Sequence, residues 1–360
     1  MVLKFGGSSF RDLTDYGRIA DYLAHRVRDL HRPLAVVVSA MPGETEGLRE
    51  RLTEVHPHPA EENVAGLLTL ADTVSAQLLT AALDRRGLRA AVLVGHQLGL
   101  TTEGSPMWAT LTGIDPAPLR EAMAGADVLV VPGGQAVDTA GRPSWLGKNS
   151  SDLTAVAVAA ALGATDCEIF SDVDGVYDCD PHLVPASTLL PELSYRDAGR
   201  LSAYGAKVLH RRAVALAEEH RITLVCRGNR GPYPVGTVIA GTGAPAAVVV
   251  LNRRSGALLH PTADRAAETA ALLNGAGIEA FAAATAQGPC VVVAGGYVDL
   301  AATGTRLGLP EGRPGGVPVV TVRGDSAEVR LAADETAAVE LARQLHAELT
   351  STHPQGVERP

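Results

Sequence analysis

An α/β layered fold with a mostly parallel sheet, followed by a smaller α+β region, is predicted by three observations on this chain of 360 residues. Short apolar runs alternate with helical patterns over the first two thirds of the chain, which is how a helix-covered parallel sheet is written in sequence. A Gly- and Pro-rich stretch, RGNRGPYPVGTVIAGTGAP at 227 to 245, then interrupts the pattern, and strands follow at closer spacing. The length also exceeds a comfortable single core, so two domains are expected, at 1–242 and 243–360.

The first element lies in MVLKFGGSSF. Val2, Leu3 and Phe5 read as a short buried strand, and Gly6 and Gly7 permit a tight turn. From Leu13 the apolar positions Leu13, Tyr16, Ile19, Ala20, Leu23, Val27 and Leu30 recur at helical spacing. A glycine turn between strand and helix offers backbone N–H groups and a positive helix end to an anion, and Lys4 adds a mobile cation. Taken alone, the decapeptide reads more simply as an ordinary turn beside a surface lysine.

Further strands are expected in PLAVVVSA at 33 to 40, AAVLVG at 90 to 95, ADVLVVPGG at 126 to 134, CEIFSDVDGVY at 167 to 177 and ITLVC at 222 to 226. Between them, ENVAGLLTLADTVSAQLLTAALDRRG and SDLTAVAVAAALGA carry helical patterns. After 245, AVVVLNRR, TADRAAETAALLNGAG, IEAFAAATAQ and PCVVVAGGYV suggest β-α-β-β. VPVVTVRG, AEVRLA and a closing helix, ETAAVELARQLHAEL, complete a module of a kind that binds small ligands or dimerises.

Composition excludes several functions. A formal charge of -9 without a Lys/Arg block argues against a nucleic-acid partner. Cys167, Cys179, Cys226 and Cys290 are widely spaced, form no CxxC pair and read as reduced thiols; no metal-ligand set of zinc type is expected. The amino terminus shows no charged-then-apolar leader, and no apolar run approaches bilayer-spanning length, so a cytoplasmic protein without a membrane partner is expected.

In parallel sheets ligands sit beyond the carboxyl ends of strands, so the loops there are the candidate binding segments. SAMPGETEGL places Ser39 and Thr45 at a strand end, where they either hold a substrate or start a capped helix. LGKNSSDLTAVAVAAALG puts Lys148, Ser151 and Asp152 at a helix start, which suits an N-cap or an anionic substrate beside a cation. SDVDGVYDCDPH, at 171 to 182, crowds Asp172, Asp174, Asp178 and Asp180 but lacks the glycine and terminal glutamate of an EF-hand. A structural turn or a nucleotide-contacting loop remains.

Read together, KFGGSS, SAMPGETEGL, GKNSSDLTAVAVAAALGA, SDVDGVYDCDP and LSAYGAKVLHRRAV resemble, in order and spacing, the aspartokinases of the amino acid kinase family. The resemblance covers residues 1 to 240. It implies a three-layer αβα sandwich with a mostly parallel sheet, and beyond 240 an ACT-like regulatory or dimerisation region and a homodimer. It also implies ATP and Mg²⁺, and phosphorylation of a small carboxylic or amino acid, L-aspartate in the family, to an acyl phosphate in amino-acid biosynthesis.

Carried onto this chain, the resemblance places Lys4, Gly6, Gly7 and Ser8 at the transferring phosphate and Lys207 at the nucleotide side, with Asp152 organising the two lysines. Ser171, Asp172, Tyr177 and Asp180 would hold the nucleotide. Ser39, Thr45, Asp72, Lys148 and Ser151 would line the amino-acid pocket.

The departures lie mostly in that pocket. The family's GRGGSD is GKNSSD here, its HGE glutamate is Asp72, and its DPR is DPH with His182. LHPTADRAAETAALL lacks the glycine-containing effector loop, which leaves a dimer-forming role for the carboxyl region. Two further readings stay open: a kinase of this family for a different acid, carbamate or phosphate, and a non-catalytic nucleotide-binding regulatory subunit.

Overall fold

The computed structural model describes residues 1–206, 209–243, 246–294 and 300–351. They divide into two compact units, the first made of Met1–Gly175 and Arg212–Gly241, the second of Val176–Arg211 and the chain from Thr242 onward.

From the amino terminus run β1 (Val2–Phe5), α1 (Thr14–Leu30), β2 (Leu34–Val38), α2 (Glu44–Val55), α3 (Glu61–Asp84), β3 (Ala90–Val92), β4 (Leu100–Glu103), β5 (Thr110–Ile114) and α4 (Ala117–Gly125). Next come β6 (Val128–Pro132), β7 (Gln135–Asp138), β8 (Pro143–Trp145), α5 (Ser151–Leu162) and β9 (Asp166–Ser171). The chain then contributes β10 (Val176–Tyr177), β11 (Leu189–Leu190), β12 (Glu192–Ser194) and α6 (Tyr195–Ala203) to the second unit. It returns to the first with α7 (Arg211–His220), β13 (Thr223–Gly228) and β14 (Val235–Ala240).

The main-sheet strands of the first unit lie in the order β14-β13-β9-β1-β2-β6-β3. Every pairing from β13 to β3 is parallel; β14 alone joins antiparallel. Side chains alternate across the sheet. Leu3, Phe5, Leu34, Val36, Val38, Val128 and Val130 pack with Tyr16, Ile19 and Leu23 of α1 and with Ala76, Leu79 and Leu83 of α3. Lys4 points to the other face, where α5 lies against β1, β2 and β9. Helix α5 is apolar around nearly its whole circumference and buried from Ser151 to Ala159, as a helix covered on all sides must be. The expected αβα layering is therefore present. A small sheet, β5-β4-β7-β8, stands beside it.

Two expectations are corrected in this region. The 24-residue α3 is long and apolar enough to cross a membrane by length and composition, and half of that apolar window is buried inside the protein. The interrupting Asp72, Thr69 and Ser75 are themselves buried in the fold. The strand expected at 167 to 177 ends at Ser171, and the chain from Val176 belongs to the second unit.

The second unit continues with β15 (Ala247–Leu251), β16 (Gly256–Leu259), α8 (Ala263–Gly275), β17 (Ala280–Thr285), β18 (Gly288–Val293), α9 (Leu300–Leu307), β19 (Arg313–Arg323), β20 (Ser326–Ala332) and α10 (Glu335–Ser351). From β16 to β19 this is a βαββαβ unit with sheet order β19-β16-β18-β17. Strand β19 is 11 residues long; its first part pairs with β16 and the remainder with β15 and β20. Residues 176–211 were expected in the first domain. They group with the second unit because Cys179, Leu183 and Val184 are buried against Val249, Leu251 and Leu345.

Candidate active site

The carboxyl ends of β1, β2, β6 and β9 converge on one rim, and backbone bonds lock them there. Ser39 N–H donates to the Phe5 carbonyl (3.0 Å), Gly133 N–H to Val38 (2.9 Å) and Gly6 N–H to Phe170 (3.3 Å). The rim carries the glycine loop, in which Gly7–Ser9 form a single 3-10 turn.

Glycine is required at Gly7 and leaves room for the Lys4 ammonium at Gly6. A Cβ on Gly7 would sit 2.9 Å from the Ala40 carbonyl oxygen, and one on Gly6 would sit 3.2 Å from Lys4 Nζ. The Lys4 ammonium therefore folds back over the bare backbone of Gly6. There it meets Asp152 Oδ1 at 2.7 Å, with both side chains about nine-tenths buried. Asp152 stands in the first turn of α5, where the helix dipole also favours a carboxylate.

Next to this pair, Ser39 Oγ donates to Ser151 Oγ at 2.9 Å. Gly133 makes room for Ser151, since a Cβ there would lie 2.3 Å from the hydroxyl oxygen. Asp72, reaching in from α3, accepts the Ala40 N–H at 2.9 Å. Burial pushes its carboxyl up to about 7, against the opposing pull of the Ala40 N–H and the Lys4 charge. An acid so placed changes its charge near neutral pH.

The substituted loop GKNSSD keeps a glycine-like backbone despite its side chains. Asn149 has φ 61°, in the left-handed region that asparagine tolerates better than most residues. Ser150 Oγ donates to the Gly147 carbonyl at 2.6 Å, and Gly147 itself has φ 98°. Lys148 Nζ is 2.8 Å from Glu46 Oε1, one residue beyond Thr45 in the first turn of α2. This pair is partly exposed.

A network missed from sequence supports the glycine loop from behind. Arg18 of α1 donates through Nε to Asp15, through Nη1 to the Asn229 carbonyl and the Tyr233 hydroxyl, and through Nη2 to the Ser9 carbonyl. Asn229 Nδ2 donates to Ser8 Oγ at 3.0 Å, and Asn229 N–H to the Ser171 carbonyl at 2.7 Å. Burial alone would raise the Asp15 carboxyl, but hydrogen bonds from Arg230, the Arg11 N–H and Arg18 hold it well below the ordinary carboxylate range. Partners more than 200 positions apart leave no local signal in sequence.

Of the residues singled out from sequence, Lys4, Gly6, Gly7, Ser39, Asp72, Ser151 and Asp152 meet on this rim, with Ser8 on its supporting network. Ser171, whose hydroxyl donates to Asp172 Oδ1 at 3.0 Å, ends the neighbouring β9. Tyr177, on β10, and Asp180, whose carboxylate accepts the His182 N–H, belong to the second unit. Lys207 lies outside the described residues. Among the described residues, no group of three or more His, Cys, Asp or Glu side chains is gathered in a way that could hold a metal.

Comparison with known proteins extends this picture. An aspartokinase of Thermus thermophilus is 39% identical over 239 residues, which cover 66% of this chain and 58% of that one. The chain thus spans little more than half the length of the curated relatives it matches. An aspartate kinase structure from Synechocystis superposes with a TM-score of 0.58 at 27% identity, over 90% of this chain and 60% of that one. E. coli aspartokinase III, solved in complex with aspartate and ADP, has the same fold, with a TM-score of 0.73 at 20% identity over 97% of this chain and 99% of that one. Residues 1–228 match the amino acid kinase family across the whole rim just described, and the chain belongs to that family.

Proposed function

We propose that this chain is an aspartokinase-type kinase that transfers the γ-phosphoryl group of ATP to the side-chain carboxylate of L-aspartate, giving 4-phospho-L-aspartate and ADP. One observation carries the reading. The Lys4 ammonium is held by Asp152 over the bare backbone of Gly6, at the end of a parallel strand that shares its rim with Ser39, Ser151 and Asp72.

The chemistry asks little of the protein beyond placement and charge. A carboxylate is already ionised at neutral pH, so no base is needed. Its oxygen forms the new bond to the γ-phosphorus as the bond to the β–γ bridging oxygen breaks, and the electron pair leaves with ADP. Lys4 neutralises charge on the migrating group, and N–H groups of the glycine loop add fixed dipoles. Asp152 holds the ammonium in place. Lys207 supplies a second cation in this scheme, and Asp172, Tyr177 and Asp180 hold the nucleotide. With no carboxylate cage among the described residues, Mg²⁺ would be carried chiefly by triphosphate oxygens, where it supplies charge neutralisation.

Asp72, when ionised, suits the ammonium group of an amino acid, and Lys148 with Thr45 suits a carboxylate. A second reading, a different acid as substrate, is favoured by the pairing of Lys148 with Glu46, which neutralises the cation of that pocket. We further propose a cytoplasmic homodimer assembled through an ACT-like second unit.

ATP consumption with Mg²⁺ and hydroxylamine trapping across a panel of amino and hydroxy acids tests these readings together. A hydroxamate from aspartate supports the first, and one from another acid supports the second. ADP binding without turnover of any acid points to a regulatory subunit instead.

A further inference from the structure

The segment from 176 to 190, which contains Tyr177 and Asp180 of the nucleotide loop that the family resemblance implies, is built as part of the second unit. Its two ends form a short antiparallel ladder, Val176 opposite Leu190 and Tyr177 opposite Leu189. Asp178 ties the intervening loop at both ends. Its N–H donates to the Thr188 carbonyl at 3.0 Å, its carboxylate accepts the Thr188 N–H at 2.8 Å, and its carbonyl accepts the Val249 N–H at 2.8 Å.

One more partner completes the set. His346 Nε2, on the carboxyl-terminal helix α10, lies 2.9 Å from the same Asp178 Oδ1, and both residues are more than nine-tenths buried. Because a carboxylate only accepts, Nε2 carries the proton of this bond. Three residues earlier on α10, Arg343 Nε donates to the Leu183 carbonyl at 3.2 Å, and Leu345 packs against Leu183 and Val184. Burial of a carboxylate in this setting is sustained only while its donors remain.

We propose that His346 is a positioning residue for the nucleotide loop: acting through Asp178, helix α10 holds residues 176–190 in the shape that presents Tyr177 and Asp180, and so sets nucleotide affinity. The inference rests on the nucleotide reading above for its second half only. Loss of the His346 donor leaves Asp178 short of a partner, and the loop loosens next to its two ligand residues. Glutamine at 346 places an amide N–H close to the same point and preserves the loop.

Full-length His346→Leu, His346→Gln and Asp178→Asn are compared with the parent by hydrogen–deuterium exchange over 176–190 and by calorimetry with ADP. The leucine variant is expected to exchange faster in this segment and to bind ADP roughly tenfold more weakly, at an unchanged KM for the acid. The glutamine variant is expected to restore both, and Asp178→Asn to fall between. A purely structural role would lower the melting temperature while leaving ADP affinity of the folded protein intact, and that result overturns the proposal. Unchanged exchange in His346→Leu overturns it as well. Should the parent itself fail to bind ADP, the nucleotide reading falls together with the affinity half of the proposal, and exchange alone decides whether α10 holds the loop.

Discussion

Lys4 Nζ stands 2.7 Å from Asp152 Oδ1 and next to the backbone of Gly6, so a strand residue and the first turn of a distant helix together fix one ammonium group. Lys4→Ala is expected to lower turnover by roughly a hundredfold or more while changing ATP affinity far less, since the charge acts on the migrating group. Steady-state kinetics beside ADP calorimetry checks this. Lys207→Ala is expected to behave alike, and full activity in either variant removes the two-lysine scheme.

Asp72 predicts a pH dependence. Burial raises its carboxyl to about 7, against about 4 in the unfolded chain. Between those values the folded protein keeps a proton that the unfolded chain has released, so stability falls as pH rises through this window and levels off above it. Asp72→Asn retains an acceptor for the Ala40 N–H without the cost of ionising. Its melting temperature should gain on the parent between about pH 4 and about pH 7; a constant difference across that range rejects the assignment.

Gly133→Ala is expected to abolish the proposed hydroxamate-forming activity without preventing folding. The new Cβ would meet Ser151 Oγ at 2.3 Å, forcing Ser151 away from Ser39. Overpacking of this kind costs ~1–3 kcal/mol. Thermal melts combined with the hydroxamate assay separate the two effects, and an active Gly133→Ala variant shows that Ser151 has no part in the pocket.

Lys148 and Glu46 concern substrate choice. Their ion pair is partly exposed, so Glu46→Gln should change stability by no more than ~1 kcal/mol. It removes the Glu46 charge from beside Lys148, which favours a substrate carboxylate there, and Lys148→Arg adds a bidentate fork. Both changes should lower KM for aspartate relative to other acids in a competition assay; an unmoved preference places Lys148 outside the pocket.

Arg18→Lys tests the support behind the glycine loop. A lysine cannot reach Asp15, Asn229, Tyr233 and Ser9 at once, as the Arg18 guanidinium does. Faster hydrogen exchange over 6–10 and a lower kcat are the expected outcome. Unaltered exchange shows that the loop holds its shape unaided.

Much of this architecture is legible in local sequence. Apolar runs such as LAVVV and VLVVP mark central parallel strands, and the long pattern of α3 marks its helix. The glycine loop is legible too, because Gly6 and Gly7 stand between a strand and a helix. What escapes is short or assembled from afar. Strand β16 is four residues between turns, and α9 carries Gly304, so neither has a clear period. The Arg18 network and the Asp178–His346 pair join residues far apart in the chain, which no window of sequence can connect. Asp172 and Asp180 look like one acidic cluster in sequence, yet the chain passes from one unit to the other between them.

Strand β19 belongs to two sheets at once, bonded to β16 through its opening residues and to β15 and β20 through the rest. A strand shared in this way couples the βαββαβ portion to β15 and β20 through one continuous backbone. A cut within Arg313–Arg323 is therefore expected to weaken the pairing of β16 and that of β15 and β20 together.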